Sequence, residues 1–175
     1  MSVAVILSGL PASGKTALGL RLAQLLDWPH LDKDDFLEAL FDSHTVSRRE
    51  DRNLLSRQSD VAFRLNAILH RRVVLISHWR PNVPDEPGGT PTDWLSVHFD
   101  LLIEVHCPCG PDVAAQNFET RKRHASHLDA LQTPDALRQR MHSLAPGYPL
   151  GIGTTIDSSC GGPDQIAATI RAMVG

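Results

Sequence analysis

Cysteine is scarce: Cys107, Cys109 and Cys160 are the three in 175 residues. An odd count with one C-x-C pair and no second pair offers no metal-ligand spacing, so the thiols read as reduced and the chain as cytoplasmic. No run approaches the roughly 20 apolar residues that span a bilayer, so no membrane partner is expected. The start "MSVAVILSGL" lacks a basic segment and is broken by Gly9 and Pro11, and so reads as a strand instead of a secretory signal. Charge of one sign is also missing: net charge is −3 and the isoelectric point is about 6.3. Nothing in that balance attracts a nucleic-acid backbone globally. Internal repeats, low-complexity tracts and linkers are absent too. With 42% apolar and 21% charged residues, the chain reads as one soluble domain, 1–175.

What is present alternates. Residues 3–8, "VAVILS", form a continuous apolar run, and Leu18, Leu22, Leu25 and Leu26 follow at helical spacing up to Asp27. A short strand is expected around His30 and Leu31, then a helix opening near Asp34 whose carboxylates complement its positive end. "SRREDRNLLSRQSDVAFRLNAILHR" predicts an amphipathic helix of about 20 residues with Val61, Leu65 and Ile68 on the inward face. "RVVLIS" and "FDLLIEVHCP" read as buried strands. Helices are expected over about 111–123 and 134–144, then the strand "IGTTID" and a last helix with Ile166, Ile170, Met173 and Val174 on one stripe. Between residues 78 and 94 stand four prolines and two glycines, which exclude helix and central strand. A loop of that length is usually functional. The alternation predicts an α/β fold with a parallel sheet covered on both faces.

The strongest chemical signal is G-x-x-x-x-G-K-[ST], filled by Gly9, Leu10, Pro11, Ala12, Ser13, Gly14, Lys15 and Thr16 between the first strand and the first helix. Its glycines let backbone N–H groups turn toward phosphate oxygens, and the helix adds its positive end. Lys15 would reach the terminal phosphates, and the Thr16 hydroxyl would join a Mg²⁺ ion bridging them. Nucleotide triphosphate binding follows.

"GLPASGKTALGLRLAQLL" followed by "HLDKDDFLEALF" resembles the small P-loop kinases of the nucleoside-monophosphate-kinase-like group, which includes chloramphenicol phosphotransferase, zeta toxins, gluconate and shikimate kinases, and polynucleotide kinase. "TTIDSS" is similar to their last-strand segment near the adenine, and "RKRHASHLD" to their lid. The resemblance implies a P-loop NTPase three-layer α/β/α sandwich with a five-stranded parallel sheet and a helical lid over about 121–133. It aligns Asp34 with the general base that takes the acceptor's proton, places Asp35 beside the acceptor, and leaves Asp32 to act on Mg²⁺ or its waters. Arg121 and Arg123 become the lid cations that close on the transferring phosphoryl group. Ligands of such sheets bind at the carboxyl ends of the strands. Trp79 and Arg80, in the loop after the third strand, are therefore candidates for the acceptor, as a ring surface and an anion clamp. His124, His127 and Asp129 fall short of a zinc ligand set.

Three further absences shape the reading. The guanine-recognition pattern N-K-x-D is missing, so the resemblance implies ATP with Mg²⁺ as donor. Leu37 stands where polynucleotide kinases carry an arginine, which counts against a nucleic-acid acceptor. Ser77 and His78 stand where many P-loop enzymes place the acid of their second motif. The leading expectation is a kinase acting on a small-molecule hydroxyl. A polynucleotide or nucleotide-sugar kinase and a non-transferring ATPase module remain as alternatives.

Overall fold

The computed structural model describes residues 1–44, 49–84, 86, 88–120 and 133–175. Five parallel strands form one sheet: β1 (Val3–Ser8), β2 (His30–Asp32), β3 (Arg72–Ile76), β4 (Leu101–His106) and β5 (Thr154–Asp157), in the order β2-β3-β1-β4-β5. Parallel neighbours require crossovers, and helices supply them: α1 (Lys15–Leu26), α2 (Lys33–Asp42), α3 (Arg49–Ala67), the short α4 (Leu95–His98), α5 (Pro111–Thr120), α6 (Pro134–Leu144) and α7 (Pro163–Val174). None of these helices is long and apolar enough to cross a membrane.

Strand β1 shows why the apolar run is unbroken. Its odd residues Val3, Val5 and Leu7 pack against Leu22, Ala23 and Leu26 of α1 and Ile166 and Ile170 of α7. Its even residues Ala4 and Ile6 pack on the other face with Phe63, Ala67, Trp79, Trp94, Leu95 and Phe99. Both faces are covered, so alternation of apolar and polar residues disappears. Each fully buried large aliphatic side chain contributes about 1.5–3 kcal/mol.

Helix α3 turns the other way from expectation. Val61 and Leu65 are each about half exposed, and Ile68 is also on the surface. The stripe that meets the sheet is Leu55, Ser59, Phe63 and Ala67 at four-residue spacing. Phe63 lies two residues, about 200°, from both Val61 and Leu65. The inward choice follows the aromatic ring, which meets Phe36 edge-on, Trp79 at 5.9 Å and Trp94 at 6.4 Å between centroids. On α7, Met173 is likewise turned outward while Ile166 and Ile170 are buried. Within the loop over 78–94 an isolated parallel bridge joins Trp79 and Thr90. The expected lid, with Arg121 and Arg123, lies outside the described residues.

Candidate functional site

The phosphate loop leaves β1 at Ser8 with an abrupt turn. Gly9 has φ of 133°, and a Cβ there would stand 2.5 Å from the Cys107 carbonyl oxygen, so only glycine fits. Ala12 holds φ of 61°, a left-handed value uncommon outside glycine, and such strain persists where the surroundings impose it. Gly14 caps α1 without any side-chain acceptor. The first-turn N–H groups are thus left for an outside anion. Lys15 Nζ donates to the Leu10 carbonyl at 2.7 Å, arching back over the loop. Ser13 Oγ is buried with no hydrogen-bond partner among the described residues. A cavity of about 320 Å³ opens beside this loop, lined by Ala12, Gly14, Lys15, Thr16, Ala17 and Asn117. An orphaned hydroxyl, an uncapped helix start and a lysine around one cavity fit a polyphosphate.

The second strand delivers the carboxylates. Asp32 ends β2 and caps α2, accepting from the Asp34 N–H at 3.0 Å through Oδ1. Its other oxygen, Oδ2, accepts from the Thr16 hydroxyl at 3.2 Å. Thr16 and Asp32, 16 residues apart in the chain, are therefore joined, as a shared cation would require. Burial, then the charge of Asp34, pushes the Asp32 carboxyl up to about 6. A divalent cation would reverse that shift. Among the described residues no group of three or more His, Cys, Asp or Glu side chains could hold a metal alone. The donor set fits Mg²⁺ whose remaining ligands are phosphate oxygens and water.

Asp34 follows in the first turn of α2, where its charge acts on Asp32, Lys33 and His78. Asp35 is exposed, and its carboxyl is raised by partial burial and then by Glu38, with His30 opposing. Its charge also acts on Asp32. Lys33 is buried, donates to Ser56 Oγ at 3.0 Å, and lies 3.4 Å from Asp60. Burial holds its pKa below the usual lysine value. Asp60 accepts from Thr90 Oγ1 at 2.8 Å, and Thr90 shares a 2.6 Å hydrogen bond with Ser77. This chain of polar groups ties α2, α3, the long loop and the end of β3 together around Asp34.

Trp79 is a correction. It is fully buried, its indole N–H donates to the Leu7 carbonyl at 2.9 Å, and it packs on Phe63, so it holds the loop to the sheet and offers no ring to an acceptor. The ring's apolar area outweighs anything it could gain at the surface. Arg80 is exposed on a separate cavity of about 560 Å³, with Asn82, Asp93, Leu150 and Ile152 among its lining, and shares no lining residue with the phosphate cavity.

Two residues join His78 at the site without a motif to announce them. His78, Tyr148 and Arg140 of α6 lie together: the Tyr148 hydroxyl donates to the Trp79 carbonyl at 2.9 Å and stands 3.5 Å from His78 Nδ1, and the charge of Arg140 acts on both rings. The one signal was that Tyr148 is the chain's only tyrosine. Glu104, fully buried on β4, holds the segment behind them. Its carboxylate accepts from the N–H groups of Leu150 at 2.7 Å, Gly151 at 2.9 Å and Ile152 at 3.2 Å, and from the hydroxyls of Ser8 and Thr155.

No family model matches the chain. A shikimate kinase from Mesorhizobium japonicum is 29% identical over 118 residues, which are 59% of this chain and 54% of that protein. The chain therefore spans about half the length of the curated relative it matches. Among solved structures, a candidate kinase from Chloroflexus aurantiacus superposes with a TM-score of 0.75 at 22% identity, covering 98% of this chain and 97% of that one. Shikimate kinase from Bacteroides thetaiotaomicron gives 0.62 at 17%, covering 98% of each. The fold is that of the small P-loop kinases.

Proposed function

We propose that the protein is an ATP-dependent kinase that transfers the γ-phosphate to a hydroxyl of a small molecule. The observation that carries this reading is the gathering of Lys15, the Thr16–Asp32 pair and Asp34 at the carboxyl ends of β1 and β2. Phosphoryl transfer needs that set: a phosphate cradle, a cation site and a carboxylate within reach of the incoming hydroxyl. The likeness to shikimate kinases supports it.

In this mechanism the loop N–H groups and Lys15 hold the nucleotide's phosphates, and Thr16 with Asp32 would hold a Mg²⁺ ion, which would supply charge neutralisation to the phosphate oxygens. Asp34 accepts the proton of the acceptor hydroxyl while that oxygen forms its bond to the γ-phosphorus and the bond to the β-phosphate oxygen breaks. ADP leaves with the displaced electron pair. Arg121 and Arg123 are proposed to close over the transferring group from the lid and exclude water.

Transfer from γ-labelled ATP to a panel of sugars, sugar acids, cyclitols, nucleosides, aminoglycosides, phenicols and 5′-hydroxyl oligonucleotides tests the reading. A labelled small product is expected, with Lys15→Ala losing transfer by at least about a hundredfold. Asp34→Asn should keep nucleotide binding and lose turnover to a similar degree. Equal loss of nucleotide binding in both variants would remove Asp34 from the role of base, and label on the oligonucleotides alone would overturn the small-molecule acceptor.

A further inference from the structure

His78 follows β3 by two residues, in the position where an acidic side chain was missed in the sequence. Its tautomer follows from its neighbours. The Tyr148 hydroxyl donates to the Trp79 carbonyl at 2.9 Å and its oxygen stands 3.5 Å from His78 Nδ1, so we assign the ring hydrogen to Nδ1. Nε2 is left as a bare lone pair. That nitrogen is shut off from solvent and has no hydrogen-bond partner among the described residues. Buried polar atoms are nearly always paired, so an unpartnered ring nitrogen within the electrostatic reach of Lys15 and Asp34 points to a group that arrives with the ligand.

The surroundings select the kind of group. Burial first, then the charges of Lys15, Arg140 and Lys33, against Asp34, hold the His78 pKa at about 3. The ring is neutral across the working range and takes up no proton, which leaves the role of base to Asp34. Three cations nearby disfavour an ammonium donor, and phosphate oxygens carry no proton to give. A neutral hydroxyl satisfies the lone pair. The reacting hydroxyl must face Asp34, so the donor to His78 is a different one.

We infer that His78 Nε2 accepts a hydrogen bond from a second, non-reacting hydroxyl of the phosphate acceptor, which makes His78 a specificity-determining residue for polyhydroxylated molecules. The inference rests on the kinase reading above, and its test has one arm that does not depend on turnover. Nitrogen spectra of the full-length, ¹⁵N-histidine-labelled chain report Nε2 directly. With Mg²⁺ and a non-hydrolysable ATP analogue present, shikimate, gluconate, glucose and myo-inositol are added in turn, with cyclohexanol as the single-hydroxyl control. The expected result is an unprotonated Nε2 in the free chain whose resonance moves with at least one polyol and not with cyclohexanol. Movement with the nucleotide analogue alone would assign the nitrogen to the donor side and overturn the inference, as would no movement with any polyol.

Transfer kinetics supply the second arm. His78→Ala should raise the acceptor's KM by about tenfold while the KM for ATP and the pH profile stay as in the wild type. His78→Asn, which offers a neutral carbonyl acceptor, should recover most of that loss. Equal acceptor KM in the wild type and His78→Ala, or a changed pH profile, overturns it. Absence of transfer by the wild-type chain counts against the kinase reading, and the nitrogen spectra decide His78 independently.

Discussion

Asp32 shows what one residue can be asked to do. It ends a strand, caps a helix and bonds the Thr16 hydroxyl, all while largely buried, and its carboxyl is pushed up to about 6 by that burial and by Asp34. Because the folded pKa lies above the unfolded value of 3.8, the folded chain holds the proton longer than the unfolded chain. Its contribution to stability is full below about pH 4 and falls as pH rises through 6. The loss amounts to roughly 3 kcal/mol at about 1.4 kcal/mol per pH unit. Asp32→Asn removes the titration, so urea unfolding should show the variant gaining on the wild type by about that amount between pH 4 and 8. A constant difference would mean Asp32 titrates normally. Mg²⁺ competes with the same proton, and its affinity should rise with pH through about 6 in the wild type and stay flat in the variant.

At the scale of the element, α3 carries two apolar stripes, and the sheet selects one. Phe63 is fully buried among Phe36, Trp79 and Trp94, whereas Val61 is half exposed two positions away. Phe63→Ala is expected to cost about 3–5 kcal/mol through lost contacts and a cavity. Val61→Ala should stay within about 1 kcal/mol of the wild type. Denaturant midpoints measured side by side decide this, and the reverse order would restore the face that periodicity suggested. The turn at 150–152 is held differently. No apolar packing alone could order three successive backbone N–H groups, and the buried Glu104 carboxylate takes them all.

For the whole molecule, the sheet is a platform whose carboxyl edge gathers residues from distant parts of the chain. Gly9 to Thr16 arrive from β1, Asp32 and Asp34 from β2, His78 from β3, and Arg140 with Tyr148 from α6 and the turn after it. Nucleotide bound to that edge would stabilise the entire fold, since the unfolded chain has no cradle. At a hundredfold over its Kd the gain is about 2.7 kcal/mol. Mg²⁺·ATP should therefore raise Tm by roughly 5–10 °C. Lys15→Ala should abolish most of the rise, and a rise undiminished in that variant would place the nucleotide elsewhere.

Much of this was legible in the sequence because it depends on neighbours along the chain. A glycine loop between a buried strand and a helix needs no distant partner to declare itself, and neither do Asp32 and Asp34 at a helix start. The parallel sheet follows from continuous apolar strands joined by helices. Other features required the fold. Whether Trp79 faces an acceptor or the core depends on the Leu7 carbonyl, 72 residues away. Which stripe of α3 is buried depends on three rings contributed by α2 and the long loop. That Thr16 meets Asp32 is a matter of how α1 and α2 sit against the sheet. That His78 meets Tyr148, 70 positions later, and leaves Nε2 unpartnered among the described residues is equally a product of the fold. Local chemistry determined the phosphate loop and the parallel α/β class of the sheet. Contacts between residues far apart in sequence decided orientation, burial and hydrogen-bond pairing, because those terms have no value until the distant partner is in place.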